Sequence, residues 1–426
     1  MFDLYLLSFN CARHLVSPES LAPSFFDALP NAASVPDVVA ISLQEVAPIA
    51  HSFLGGSYLT PYLDRITTTV HLATDLRSNG SERLEHVATR SLGMTALVIF
   101  AKPELAERIR WIQAAAAGVG FWNMGNKGAV GMRIGVACPG SGETLNLAFI
   151  AAHLAPMEVN VEARNRDWEK IVRNLVFVSD HDSPYSLSEQ MPLTSSQSPP
   201  TDSESLFAPA SHLFFAGDLN YRTSDRPPLP DSYKSYPQPT TSEASAEHFS
   251  HLLKRDQLNR EREANRTLHN LHELPINFPP TYKYSVRQHT SGHKRSGSDV
   301  DVRFDWAEHR HPSWCDRILF SPPSASSRLE AQIYTALPVQ PTSDHRPVVL
   351  SVRVDNRPLS REETQSQPPF PTNPNWRVRQ DAARRWELIV GILSYLALTK
   401  KGNAMIVVIA GIIVFTSWYL STWLRI

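Results

Sequence analysis

Six short apolar runs recur along the chain, and four of them end on a polar side chain. LYLLSF runs into Asn10, VVAISLQ into Glu45, LNLAFIAA into His153, and HLFFAG into Asp218, with Asn220 two residues on. RILF follows Cys315-Asp316, and VVLSVRV follows Asp344-His345. Runs this uniformly apolar read as strands buried on both faces, not as half-exposed alternating strands. Amphipathic helical stretches at 159–176 and 247–272 lie between them. The expectation is an α/β sandwich with buried sheets. In such layered folds, sites form where strands end and loops begin. Any one of these polar residues, taken alone, reads first as a cap for the following turn. Their recurrence points to a common rim.

Composition narrows the function classes. The 426 residues are 42% apolar, enough for a sizeable core. With 41 Lys+Arg against 42 Asp+Glu the formal charge is −1, which argues against a protein that grips nucleic acid by bulk charge. Three cysteines (Cys11, Cys138 and Cys315) stand far apart with no C-x-x-C, which excludes a disulfide framework or zinc ribbon and fits a reducing compartment. The 33 prolines outnumber the 18 glycines. They gather with serine at about 182–210 and 224–247, while 287–299 is polar and basic; all three read as insertions into one domain spanning 1–354. Residues 355–375 read as a linker.

The two ends differ. MFDLYLLSFN has no basic n-region, so a buried strand is expected there and not a signal peptide. Residues 404–424 carry no charge, and as a helix they would span roughly 30 Å, the thickness of a hydrocarbon core. Trp418, Tyr419 and Trp423 fall toward its far end, and Arg377, Arg379, Arg384, Arg385, Lys400 and Lys401 precede it. Those cations place the body of the protein in the cytosol, with 376–403 as a basic juxtamembrane segment and 404–424 as a transmembrane tail anchor. The span length fits the endoplasmic reticulum. Leu388–Leu398 is too short to cross; it either lies in the interface plane or packs on the domain.

The polar set is Asn10, Glu45, Asn126, Lys127, His153, Asn165, Asp218, Asn220, Asp344 and His345. Its oxygen and amide donors suit Mg²⁺, and the lack of cysteine speaks against zinc. There is no phosphate-cradling G-x-x-x-x-G-K-[ST] or G-x-G-x-x-G; GAVGMRIG reads as a glycine-spaced strand.

FNCAR, SLQEV, GNKGAV, HLAPMEVNVEARNRDW, GDLNYR, PPTYKYS, PSWCDRILF and TSDHRPV occur in this order between Phe9 and Val348. Together they resemble the inositol polyphosphate 5-phosphatases, a branch of a superfamily shared with abasic-site and DNase I-like nucleases. The likeness is greatest to compact fungal members with a C-terminal membrane anchor. It implies a four-layer α/β sandwich of two packed mixed β-sheets flanked by helices, plus the transmembrane helix. It further implies Mg²⁺-dependent hydrolysis of the 5-phosphate of phosphatidylinositol 4,5-bisphosphate at a cytosolic membrane face. By this resemblance Glu45 is the main Mg²⁺ ligand, with Asn10 beside it. Asp218 activates the attacking water, Asn220 holds it, and His345, oriented by Asp344, meets the scissile phosphate. The choice of base between Asp218 and His345 stays open. His153 and Asn165 match phosphate-binding positions, Tyr282 and Lys283 those that grip the 4-phosphate; Asn126, Lys127 and Arg317 complete the substrate set. The implied partners are phosphoinositide lipid and the membrane, with no nucleic acid; oligomeric state is left open. Two rivals remain: an abasic-site endonuclease, which should show a basic DNA-facing surface, and an inactive phosphoinositide tether, which could lose Glu45, Asp218 or His345.

Overall fold

The computed structural model describes residues 1–30, 34–140, 142–179, 202–285, 304–322, 329–360 and 367–423. In chain order the strands are β1 (Phe2–Asn10), β2 (Val38–Gln44), β3 (Glu85–Leu92), β4 (Thr95–Ala101), β5 (Ile109–Gly118), β6 (Gly128–Ala137), β7 (Thr144–His153), β8 (Val178–Ser179), β9 (Ser211–Asp218), β10 (Asp316–Phe320), β11 (Leu329–Ala336) and β12 (Val348–Val354). The helices are α1 (Pro18–Phe25), α2 (Ile49–Leu54), α3 (Thr60–Ser78), α4 (Pro103–Ala106), α5 (Val161–Asn174), α6 (Ser250–Leu253), α7 (Gln257–Glu263), α8 (Trp376–Leu398) and α9 (Lys400–Trp423).

Two six-stranded mixed sheets, ordered β11-β12-β1-β2-β4-β3 and β10-β9-β7-β6-β5-β8, pack face to face. Strand alternation explains the uniformly apolar runs. Leu4 and Leu6 of β1 point between the sheets toward Met132, Phe149 and Phe214, while Tyr5, Leu7 and Phe9 point outward under α1 and α3. On the far side, Ile150 and Phe215 meet Trp168, Ile171 and Val172 of α5. Helix, sheet, sheet and helix make the four layers.

Two of the strand pairings are parallel: β1 with β2, matching Asn10 to Gln44, and β7 with β9, matching His153 to Asp218. Parallel pairing puts the C-terminal ends of each pair at the same edge. Asn10 Nδ2 donates to Asp218 Oδ2 at 2.9 Å, so the two sheets are joined at that edge.

Several expectations change. The stretch 247–272 is not one helix: α6 ends at Leu253, and a fresh N-cap, Asp256, accepts from Asn259 N and starts α7. Residues 224–247 are packed coil with one 3-10 turn at Ser232–Ser235. Trp306 Nε1 donates to the Pro237 carbonyl at 2.7 Å, and Tyr236 joins a cluster with Tyr284, Phe304 and Trp306. Residues 287–299 and most of 182–210 lie outside the described residues. Residues 367–375 lie along α5, with Asn373 N donating to the Arg173 carbonyl at 2.7 Å and Arg173 over the Phe370 ring. The α8 helix docks on the domain through Trp376, Ala383, Glu387 and Gly391. The α9 helix is long and apolar enough to cross a membrane, with none of its 400–421 window buried.

Candidate active site

The four expected strand ends converge. Asp218 Oδ2, already bonded to Asn10, lies 3.2 Å from His153 Nε2. The backbone N–H of Asn220 donates to Asp218 Oδ1 at 3.1 Å, and its side-chain amide donates to the Leu154 carbonyl. Lys127, just ahead of β6, sets its Nζ against the His153 imidazole and 3.9 Å from Glu45 Oε1. Glu45 Oε2 pairs with Arg13 at 3.0 Å. Glu45 (φ 45) and Asn220 (φ 58) both adopt left-handed backbone, which turns the chain sharply as it leaves β2 and β9. Such conformations cost about 1 kcal/mol or more in non-glycine residues and cluster at functional sites.

A second wall comes from β10 and the loop before β12. Asp316 opens β10 directly opposite Asp218 in register. Its Oδ2 lies 2.9 Å from His345 Nδ1 and accepts from Thr281 Oγ1 at 2.7 Å. The Tyr282 ring stands 4.5 Å from the His345 ring, with the Arg222 guanidinium 4.4 Å from the Tyr282 centroid. Lys283 Nζ pairs with Asp344 Oδ2 at 2.7 Å.

Charge states follow from this packing. Burial would raise the Asp218 carboxyl, but the His153 hydrogen bond, with the charges of His345 and Lys127, holds it well below the usual carboxylate range. Burial would lower His345, but Asp316, Asp218 and Asp344 hold it up at about 9, an imidazolium at neutral pH. His153 is pushed down by burial and by Lys127, so it stays neutral. Burial alone would raise Asp344, yet His345 and Lys283 keep it low.

The structure redistributes four expected roles. The carboxylate bonded to His345 is Asp316; Asp344 Oδ1 sits 3.9 Å from Nε2 and engages Lys283 instead. Arg317 does not reach the cleft. Adjacent residues on a strand face opposite ways, so with Asp316 toward Asp218, Arg317 is fully buried among Glu273, Asp256 and Asn259. Asn165 spends its amide on Tyr221 and Glu261, and no contact ties it to the cluster. Asn10 accepts from Ala12 N and donates to Asp218, so it positions that carboxylate. Asp316 was legible in PSWCDRILF as a polar residue ahead of a strand, and Arg222 in GDLNYR; Arg13 had no signal of its own.

A divalent ion fits this donor set. Asp218, Asp316 and His345 bring polar atoms within 4.8 Å of one another, and of these the two carboxylates are the ligands, since the His345 imidazolium has no lone pair to give. Two buried oxygens, Asp316 Oδ1 and Asn126 Oδ1, have no hydrogen-bond partner, and Glu45 adds a half-exposed carboxylate outside that tight cluster. Hard oxygens with no thiolate suit Mg²⁺ or Ca²⁺; the three cysteines are buried and their thiols pushed up by burial.

Comparison with known proteins agrees with this geometry. Residues 7–351 match the family described as Endonuclease/Exonuclease/phosphatase family 2. A phosphatidylinositol 3,4,5-trisphosphate 5-phosphatase 1 of Xenopus laevis is 29% identical over 282 residues, covering 66% of this chain and 24% of its own length. A polyphosphatidylinositol phosphatase of Saccharomyces cerevisiae is 28% identical over 327 residues, covering 75% of this chain and 24% of its own. The chain thus spans about a quarter of the length of these curated relatives. Among solved structures, the inositol polyphosphate 5-phosphatase domain of a synaptojanin, crystallised with inositol (1,4)-bisphosphate and calcium, superposes with TM-score 0.58 at 22% identity, covering 92% of this chain and 93% of that one. A Cimex nitrophorin superposes with TM-score 0.50 at 16% identity, covering 83% of this chain and 98% of its own, so the fold alone does not assign chemistry. With nearly the whole two-sheet body matched and the strand ends converging as described, the chain belongs to the endonuclease/exonuclease/phosphatase family.

Proposed function

We propose that the chain hydrolyses the 5-phosphate of phosphatidylinositol 4,5-bisphosphate with Mg²⁺ at the cytosolic face of a membrane, the endoplasmic reticulum by span length. The observation that carries this reading is the opposed pair Asp218 and His345, one held ionised and the other held charged in a buried hollow.

Phosphomonoester hydrolysis asks for an oriented water and for cations where phosphate charge sits. Asp218 is the acceptor that orients the water and takes its proton. His345, protonated at neutral pH, cannot be the base; it donates to a phosphoryl oxygen. Water attacks phosphorus as its proton passes to Asp218, the bond to the ring 5-oxygen breaks, and that oxygen takes a proton from solvent, so the 4-phosphorylated lipid leaves as the alcohol. Asn220 fixes Asp218 through its backbone N–H. Lys127 and neutral His153 bind the phosphate, while Lys283 and Tyr282 face the neighbouring 4-phosphate. Glu45 would hold Mg²⁺, which supplies charge neutralisation at the phosphate when bound, while Asn10 keeps Asp218 in place.

Apolar surface supports the membrane setting. Phe121, Trp122 and Trp386 form an exposed row of tilted rings, with successive centroids 4.6 and 4.4 Å apart, and Ile389, Ile392 and Leu393 of α8 are exposed as well. This patch runs toward α9, one residue after α8 ends. Anchoring concentrates enzyme and lipid in one layer.

The test is a panel of lipid and soluble inositol phosphates with product position read by chromatography. The reading expects a 4-phosphorylated product from the 4,5-bisphosphate lipid. Cleavage of abasic duplex with no lipid product, or binding without turnover, would replace it.

A further inference from the structure

The loop that carries Asn126 and Lys127 has its preceding residue, Gly125, pinned from both sides. The Gly125 carbonyl accepts from Met94 N at 3.0 Å. Gly93, in left-handed backbone (φ 50), approaches so closely that a Cβ there would lie 2.3 Å from the Gly125 oxygen. The other side is held from far away in sequence: Gly125 N donates to Glu387 Oε1 at 2.7 Å. Glu387 is fully buried on the inner face of α8. Its other oxygen meets Arg384 at 3.2 Å, and Arg384 in turn donates to the Phe53 carbonyl at 2.8 Å.

The same helix also grips the end of β5 and two points of the loop. Gln380 Nε2 donates to the Ala116 carbonyl at 3.0 Å, Arg379 reaches Asn123 Oδ1 at 3.3 Å, and Trp386 lies over Trp122. A buried carboxylate is costly unless its lone pairs are used. Here one is used on a backbone amide two residues before a lysine in the catalytic hollow. That is more specific than helix docking needs, since Trp376, Ala383 and Gly391 already bury the same face.

We propose that Glu387 is a positioning residue for the reaction above. By fixing Gly125 it sets where Lys127 stands against His153 and Glu45, and so ties the helix next to the membrane span to the phosphate-binding loop. This rests on the proposed phosphatase activity. Misplacing a substrate-positioning group by about 1 Å can cost on the order of a hundredfold.

The experiment uses the full chain in mixed lipid vesicles containing phosphatidylinositol 4,5-bisphosphate. It compares wild type with Glu387→Gln and Glu387→Asp. Gln keeps an acceptor at the same reach but loses the charge. Asp keeps the charge but is one methylene short. The inference expects Glu387→Gln within about threefold of wild type, and Glu387→Asp down tenfold or more with the loss mainly in kcat. Amide exchange in Glu387→Asp should quicken over 118–130 and stay unchanged in β9. If Asp retains activity and Gln loses it, the carboxylate serves only its ion pair with Arg384, and the inference fails. If both variants match wild type, or exchange over 118–130 is unaltered, it fails as well. Inactive wild type would defeat the phosphatase reading itself, a distinct outcome.

Discussion

Asp316 and Arg317 are neighbours on β10, yet they serve two unlike ionic clusters. Arg317 is closed off: it binds Asp256 at 3.0 Å and Glu273 at 2.6 Å, with side-chain exposures of 0, 0 and 3%. Each of its three guanidinium nitrogens is hydrogen-bonded; burial would lower its pKa, but Glu273 and Asp256 hold it well above the ordinary range. Asp316 lies in the opposite kind of place. One of its oxygens has no partner, and the wider cluster opens through Lys127, Glu45 and Lys283 at 17, 24 and 26% exposure. Buried charge alone therefore does not mark a functional site. Nor does an unspent acceptor, since Asp256 Oδ2 in the closed cluster also lacks a partner; what separates the two is a reachable cation and convergence from several strand ends.

The comparison breaks first at Asp218. Asp218→Asn keeps the shape but removes the charge that faces His345 and His153; phosphate release should fall about a thousandfold or more, with the melting temperature near that of wild type. Retained activity would remove the assigned acceptor. Asp316→Asn comes next, at roughly a hundredfold in kcat, because His345 loses its bonded carboxylate. It also carries a pH signature. His345 is held at about 9 in the folded chain against an ordinary 6.5. Its stabilising contribution is therefore full below about pH 6.5 and is lost as pH rises toward 9. Urea titrations across that window should show wild type losing stability, and Asp316→Asn losing distinctly less.

Arg317→Met tests the closed cluster. It leaves Asp256 and Glu273 buried without their cation, so unfolding free energy should drop by about 3–5 kcal/mol. Turnover per folded molecule should stay within about twofold, and a large loss there would return Arg317 to the substrate. The smallest effect is expected at Lys283→Ala, which removes a partly exposed cation. KM for a 4,5-bisphosphorylated substrate should rise about five- to tenfold, while a substrate lacking the 4-phosphate changes little. Equal effects on both substrates would detach Lys283 from the 4-phosphate.

Much of the rim was legible because a polar residue directly after a buried apolar run has few other uses. Asn10, Glu45, His153 and Asp218 all carried that signal, and all four meet. The pairing of His345 was not legible, since two carboxylates flank motifs that only the sheet register brings together: Asp316 stands opposite Asp218, which no local pattern states. Arg317 was misplaced because a motif does not show strand facing. Edge strands such as β3 and β11 escaped notice, being largely half-exposed and short of continuous apolar runs. Glu387 carried no signal within the segment 376–403, for its partner lies 262 residues away. The left-handed turns at Glu45 and Asn220 likewise leave no trace in residue type.

The central claim is that one hollow, lined by Asp218, His345 and oxygen donors fit for a divalent ion, cleaves a ring phosphate. Phosphate release from phosphatidylinositol 4,5-bisphosphate vesicles by the full chain, measured in magnesium and again in excess chelator, tests it most directly. The account expects steady release that chelator abolishes and added magnesium restores. No release in magnesium, or release indifferent to chelator, would contradict it.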